Sequence, residues 1–235
     1  MHIFANIQPL FPTMTPTIIF EDNHLLAINK PAGWLVQGDR TGDETLTDWG
    51  KHYLKVKYEK PGAVYLNPAH RIDRPVSGAV LFGRTDKAQS RLTILFRDKK
   101  VQKTYLALVL NAPDRQEGVL KHFLLKDEKK NIVEVLRNPM GDAKESLTRY
   151  KWLKKVGSLH LLEVEPITGR PHQIRAQLAA IGCSILGDLK YGAKEPLPDA
   201  SIGLHCQSMA LVHPVRQEPI LIEAALPDTE WWKQI

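Results

Sequence analysis

The chain has 235 residues, 43% of them hydrophobic, and carries 32 Lys and Arg against 26 Asp and Glu, a formal net charge of +6. That length can bury one good core, and that apolar share argues against both a disordered and a membrane class, with no apolar run near the roughly 18 residues a bilayer span needs. Two cysteines, Cys183 and Cys206, without Cys-x-x-Cys spacing argue against a disulfide framework or a zinc site, so reduced thiols in a cytoplasmic protein are expected, and the basic balance leans toward an anionic partner.

Residues 1–16 mix Asn, Gln and Pro, lack the charged-then-apolar layout of a signal peptide, and read as a flexible arm before one domain over 17–235. Thr17 to Glu21 and Leu25 to Asn29 read as short strands around Asp22-Asn23. A loop with three glycines and a proline follows, then a helix over 44–56 with Leu46, Trp49, Tyr53, Leu54 and Val56 as its apolar face. Gly78 to Arg84 is an apolar strand, and Thr85 caps a helix running to Arg97. Val101 to Leu110 alternates as a strand, with Tyr105 and Val109 on one face. Further strands are expected at 117–125, 131–137, 144–153 and 158–166. Pro171 suits the first turn of a helix through Ala180, stopped by Gly182. Strands at 204–212 and 219–224 and a terminal helix at 228–234 close the chain. Consecutive strands without βαβ alternation predict an α+β fold with a mixed, mostly antiparallel sheet.

The stretch His70-Arg71-Ile72-Asp73-Arg74-Pro75-Val76-Ser77-Gly78 is the most informative one. Cations on both sides keep the Asp73 carboxylate ionised. An anion in a basic groove repels phosphate, so nucleophilic or proton-transfer chemistry is one reason to place it there. Taken alone, the segment is equally well a surface Asp–Arg pair of little energetic weight.

This stretch resembles the H-R-L-D-x-x-[TS]-S-G signature of the RluA-type pseudouridine synthases. Three more segments resemble that family in order: Asn29-Lys30-Pro31-Ala32-Gly33, Gln102-Lys103-Thr104-Tyr105-Leu106-Ala107, and Thr168-Gly169-Arg170-Pro171-His172-Gln173-Ile174-Arg175. Gly187-Asp188-Leu189-Lys190-Tyr191-Gly192, Leu204-His205 and His213-Pro214 extend the match. The resemblance implies helices flanking the sheet, a central catalytic cleft, and isomerisation of a uridine in tRNA or rRNA. It implies neither metal nor cofactor, and a monomer is expected. The small RNA-binding module that many relatives carry in front is expected to be absent, and Pro75 resembles the short relatives.

The same resemblance assigns roles. Asp73 matches the catalytic Asp, Tyr105 the active-site tyrosine, and Arg175 the arginine that holds the carboxylate. With a helix starting near Pro171, Arg175 falls one turn beyond it, and Arg175→Met is expected to cost rate with modest loss of stability. Arg71 matches an arginine that fills the place of a flipped-out base. Arg74 and Arg170 are expected at phosphates, Lys30 at the cleft or a phosphate, Ile174 on the pocket wall, and His172 among the substrate-binding groups. His70 and His172 lack metal-binding spacing and read as hydrogen-bonding residues. Asp188 and Tyr191 are expected to brace the fold. Val76 and Pro171 stand where the family commonly has hydroxyl residues. A catalytically silent RNA-binding protein of the same fold is the alternative; a hydrolase lacks a second carboxylate at identifiable spacing and a G-x-S-x-G elbow.

Overall fold

The computed structural model describes residues 14–39 and 41–235. Of the arm predicted over 1–16, residues 1–13 lie outside the described ones, and Pro16 is already buried. Strands β1 (Thr17–Glu21) and β2 (Leu25–Lys30) form a hairpin. Its turn is set by the Asp22 carboxylate, which accepts the backbone N–H groups of His24 and Leu25 at 2.8 and 2.7 Å.

Helix α1 (Leu46–Lys57) begins at a capping box, with the Thr45 hydroxyl and the Asp48 carboxylate each serving the other's backbone N–H. It buries Leu46, Gly50 and Leu54; Val56, predicted on that face, is 63% exposed, because it lies two residues past Leu54 and turns outward. A two-residue strand that the sequence pattern does not reveal, β3 (Asn67–Pro68), pairs with β4 (Ser77–Gly83), all of whose residues are buried. Thr85 caps α2 (Asp86–Arg97) by accepting the Ala88 N–H.

The strands β5 (Gln102–Val109), β6 (Glu117–Asp127), β7 (Ile132–Leu136), β8 (Lys144–Val156) and β9 (Leu159–Pro166) follow, then α3 (Gln173–Ala180), β10 (Leu204–Val212) and β11 (Pro219–Glu223). Among the described residues the eleven strands make one sheet in the order β1-β2-β4-β10-β5-β9-β8-β6-β7, with β3 on β4 and β11 on β10. Only β4 and β10 run parallel, so the sheet is mixed and mostly antiparallel, as expected. Gly78 is needed at that junction. Its φ is +115°, and a Cβ there would run into the backbone of Cys206.

Two expectations at helix ends fail. Helix α3 starts at Gln173, not in the turn of Pro171, because His172 takes a left-handed conformation (φ 50°, ψ 18°) that no α-helix can include. The terminal helix predicted at 228–234 is a set of turns, with Trp232 N–H and Lys233 N–H both donating to Thr229 O. Trp232 is buried with Leu108, Val156 and Leu161, so tertiary packing rather than helical hydrogen bonding fixes that end. Among the described residues no helix is long and apolar enough to cross a membrane.

Candidate functional site

Asp73 lies in the loop between β3 and β4, and that loop is built by backbone carbonyls with few free directions. The Lys30 side chain, 0% exposed, donates from Nζ to the carbonyls of Arg74 (3.1 Å), Trp34 (2.9 Å) and Pro31 (3.1 Å). Gly33 N–H donates to Arg74 O at 2.8 Å, and Arg74 Nε returns a bond to Gly33 O at 2.9 Å. Val76 N–H closes onto Asp73 O, Ile202 N–H reaches Pro75 O, and the Ser77 hydroxyl lies 2.8 Å from His205 Nδ1.

Burial pulls the Lys30 ammonium down to about 7, against the attraction of the nearby Asp73 charge. A phosphate contact, expected for Lys30 as one option, does not fit a side chain this enclosed; Lys30 shapes the loop. Arg74 pairs with Asp43 at 2.8 Å besides bonding Gly33, so it too is committed to the loop. His70 accepts Leu81 N–H at Nε2, stacks on Phe96, and is held neutral by burial, with its pKa pushed down to about 3.

Helix α3 approaches the loop in a fixed orientation. Gln173 and Gln177, one turn apart, face the sheet. The Gln173 amide donates to Leu147 O and Thr148 Oγ1 and accepts from Thr168 Oγ1 and Arg170 N–H, while Gln177 spans Leu120 O, Ser146 O and Thr148 Oγ1. Arg175, about 200° around the helix from Gln173, therefore points the other way.

Its guanidinium meets two carboxylates. Nη1 donates to Asp73 Oδ2 at 2.9 Å, while Nε and Nη2 hold the two oxygens of Asp188 at 2.7 and 2.8 Å. Arg175 and Asp188 are 5% and 1% exposed. Burial opposes the Arg175 charge, and the hydrogen bonds and charges of Asp188 and Asp73 more than offset it, so its pKa is raised. A planar fork clamped on one carboxylate has little freedom left, which aims the third nitrogen at Asp73. The Asp73 side chain stays 29% exposed, and its Oδ1 takes no hydrogen bond from any described residue.

His172 places Nε2 4.0 Å from Asp73 Oδ2 and Nδ1 2.8 Å from the Tyr191 hydroxyl. Burial lowers its pKa, with Asp73 opposing. Tyr105 on β5 stands across from Cys206 on β10 and Val164 on β9 and is 7% exposed. Burial first, then Cys206, pushes its hydroxyl well above the usual phenol range, so it is a neutral phenol.

The structure thus brings Asp73, Arg175 and His172 together. Arg71 is exposed and makes no hydrogen bond or ion pair with the described residues; Arg170 is exposed and donates from Nε to Glu145 O; Ile174 is buried in the main core. Sequence reasoning assigned no site contact to Asp188 or Tyr191. Both sit in the matched Gly187–Gly192 segment, and nothing in its spacing points to Arg175. Among the described residues no three His, Cys, Asp or Glu side chains converge as a metal site.

The family model described as RNA pseudouridylate synthase matches residues 24–180. The chain is 34% identical over 225 residues to the ribosomal large subunit pseudouridine synthase C of Rickettsia prowazekii, covering 95% of this chain and 72% of that protein. It is 30% identical over 236 residues to the tRNA pseudouridine synthase C of Vibrio parahaemolyticus, covering 93% and 92%. Among solved structures, human RNA Pseudouridylate Synthase Domain Containing 4 is similar with a TM-score of 0.75 and 24% identity, over 90% of this chain and 88% of that one, a likeness of fold.

Proposed function

The chain belongs to the RNA pseudouridylate synthase family and is an isomerase acting on RNA, and from that premise we propose that it converts uridine in ribosomal or transfer RNA to pseudouridine with Asp73 as its catalytic carboxylate. The reaction breaks the bond between the ribose and ring nitrogen 1, turns the base, and joins the ribose to ring carbon 5. Carbon 5 gives up a proton and nitrogen 1 takes one, so substrate and product have the same composition and no redox partner is required.

Attack on the nucleotide and assistance of elimination at the ribose both call for a carboxylate oxygen directed at the sugar. The observation that carries the reading is the division of labour on Asp73. Oδ2 is held by Arg175 at 2.9 Å, and Oδ1 has no donor among the described residues. Arg175, whose charge is shared between Asp188 and Asp73, holds that oxygen in a partly dry site, where the interaction counts for more than in water. Tyr105 offers a flat ring to the uracil and a neutral hydroxyl for hydrogen bonding.

A stacked uridine must leave its helix to react. Arg71, exposed and without a partner among the described residues, is suited to occupy the vacated space, and Arg170 to meet phosphate. The reading includes one catalytic domain over 17–235, working as a cytoplasmic monomer without metal or cofactor.

The test compares the wild type with Asp73→Asn on unmodified ribosomal and transfer RNA, with pseudouridine mapped at single-nucleotide resolution. A site formed by the wild type alone supports the reading and names the target. Turnover by Asp73→Asn refutes the role of Asp73.

A further inference from the structure

Tyr191 closes the 3-10 turn Leu189–Tyr191, three residues after Asp188, and is 8% exposed. Its hydroxyl oxygen accepts the backbone N–H of Val133 on β7 at 2.8 Å and stands 2.8 Å from His172 Nδ1. A phenol has one hydrogen to give and two lone pairs to offer. The Val133 N–H uses a lone pair, so the hydrogen remains for His172. If Nδ1 carried the ring proton instead, that phenolic hydrogen would be left unpaired in a buried position, an arrangement folded proteins avoid. Full satisfaction therefore makes Nδ1 the acceptor and puts the ring proton on Nε2, the nitrogen 4.0 Å from Asp73 Oδ2.

Two further contacts converge on the same tyrosine. The His172 ring stands edge-on to it (5.8 Å, 82°), and the Arg175 guanidinium lies 5.2 Å from its ring centre. Both groups that face Asp73 Oδ2 thus rest on Tyr191. His172 also needs holding, since its left-handed backbone (φ 50°) is uncommon outside glycine.

We propose that Tyr191 is a positioning residue of this site: its hydroxyl fixes His172 as the Nε2–H tautomer directed at Asp73, and anchors that histidine to the β6–β7 hairpin. The inference rests on the role proposed for Asp73. His172 then turns a polar, uncharged N–H edge toward Oδ2 at 4.0 Å, outside hydrogen-bond distance, beside the direct bond from Arg175, which leaves Oδ1 directed at the nucleotide. The Val133 bond makes the hairpin part of this arrangement, because a shift of β7 moves the hydroxyl that sets the ring.

The test uses Tyr191→Phe, which keeps the ring beneath Arg175 and removes only the hydroxyl. Long-range proton–nitrogen spectra report the His172 tautomer, with the resonance assigned by its loss in His172→Asn, a residue that tolerates a left-handed backbone. The wild type should show Nε2–H alone and Tyr191→Phe a mixture. Single-turnover pseudouridine formation should fall about tenfold in Tyr191→Phe, the loss expected for one positioned hydrogen bond, with RNA affinity unchanged. In the His172→Asn background the same substitution should cost nothing more, since the hydroxyl acts through the ring.

An Nδ1–H tautomer in the wild type, an unaltered tautomer in Tyr191→Phe, or an undiminished loss in the His172→Asn background would each overturn the proposal. The spectra need no turnover, so they decide the tautomer even if Asp73→Asn shows that the catalytic assignment is wrong.

Discussion

Glu21 and Asp73 are both carboxylates set among cations, and they are used in opposite ways. On Glu21 every direction is taken. Oε2 accepts from Lys57 Nζ and the Tyr53 hydroxyl, both at 2.8 Å, and Oε1 accepts from the Tyr58 hydroxyl at 2.6 Å and Arg84 Nη1 at 3.2 Å. Burial would raise its pKa, but the bonds from Lys57, Tyr58 and Tyr53 bring it down to about 2. On Asp73 one oxygen is engaged and the other has no donor among the described residues, with the side chain 29% exposed against 10% for Glu21. Nearby cations therefore do not set the two carboxylates apart. The number of lone pairs already engaged does.

The largest expected effect that sharpens this contrast is on Asp73→Asn. Product formation should drop to background. The thermal midpoint should hold, because Arg175 keeps both bonds to Asp188 and no buried charge loses its only partner. A clear fall in the midpoint would show that Asp73 is as structural as Glu21.

Next in size is Arg175→Met. The expectation of a modest stability loss counted Asp73 alone as the partner of Arg175. Arg175 is also the partner of Asp188, which is 1% exposed. Removing it strands that carboxylate in the interior, at a cost of about 3–5 kcal/mol. Urea unfolding should show the loss, and Arg175→Met with Asp188→Leu should recover a good part of it, since a well-packed apolar pair removes the unpaired charge. Equal stability of the single and double variants would count against the clamp.

These two residues also mark where the sequence stops being legible. Apart from β3, the strands from Thr17 to Glu223 and the first two helices follow from apolar patterning and, for the second helix, the cap at Thr85, because such signals act within a few residues. The Asp73–Arg175 pairing came through resemblance, not through spacing; 102 residues separate the two. That Asp188 clamps Arg175 could not be read at all, because it depends on the turn at Gly187 folding back under α3. The left-handed His172 was equally hidden, since Pro171 at that place suggests an ordinary helix start. At the C-terminus, Trp231 and Trp232 gave an apolar pattern that suits a helix, yet their burial under β5, β8 and β9 is met by turns.

Glu21→Gln probes the other side of the comparison and should be smaller in effect. The amide keeps one acceptor oxygen, but its NH2 group faces donors from Lys57 or the tyrosines. We expect a loss of about 1–2 kcal/mol at neutral pH and pseudouridine formation equal to that of the wild type. Reduced turnover in a variant of unchanged RNA affinity would mean that the β1–α1 edge reaches the site, which its bonding gives no reason to expect.

The smallest effect lies in acid. The folded-state pKa of Glu21 is about 2, below its ordinary 4.5, so between those values the unfolded chain binds the proton first. The Glu21 contribution is therefore complete above about pH 4.5 and is lost as the pH falls through 2. Other groups also weaken the fold in acid. His70, held neutral with a pKa near 3 against an ordinary 6.5, removes stability as the pH falls from 6.5 to 3. That loss is common to the wild type and Glu21→Gln, and it cancels in the difference between their unfolding free energies. The difference should be flat from neutral pH to about 4.5 and then shrink toward pH 2. A difference that stays constant down to pH 2 would mean that Glu21 is not held as an anion by Lys57 and the two tyrosines in solution, and the contrast with Asp73 would then rest on exposure alone.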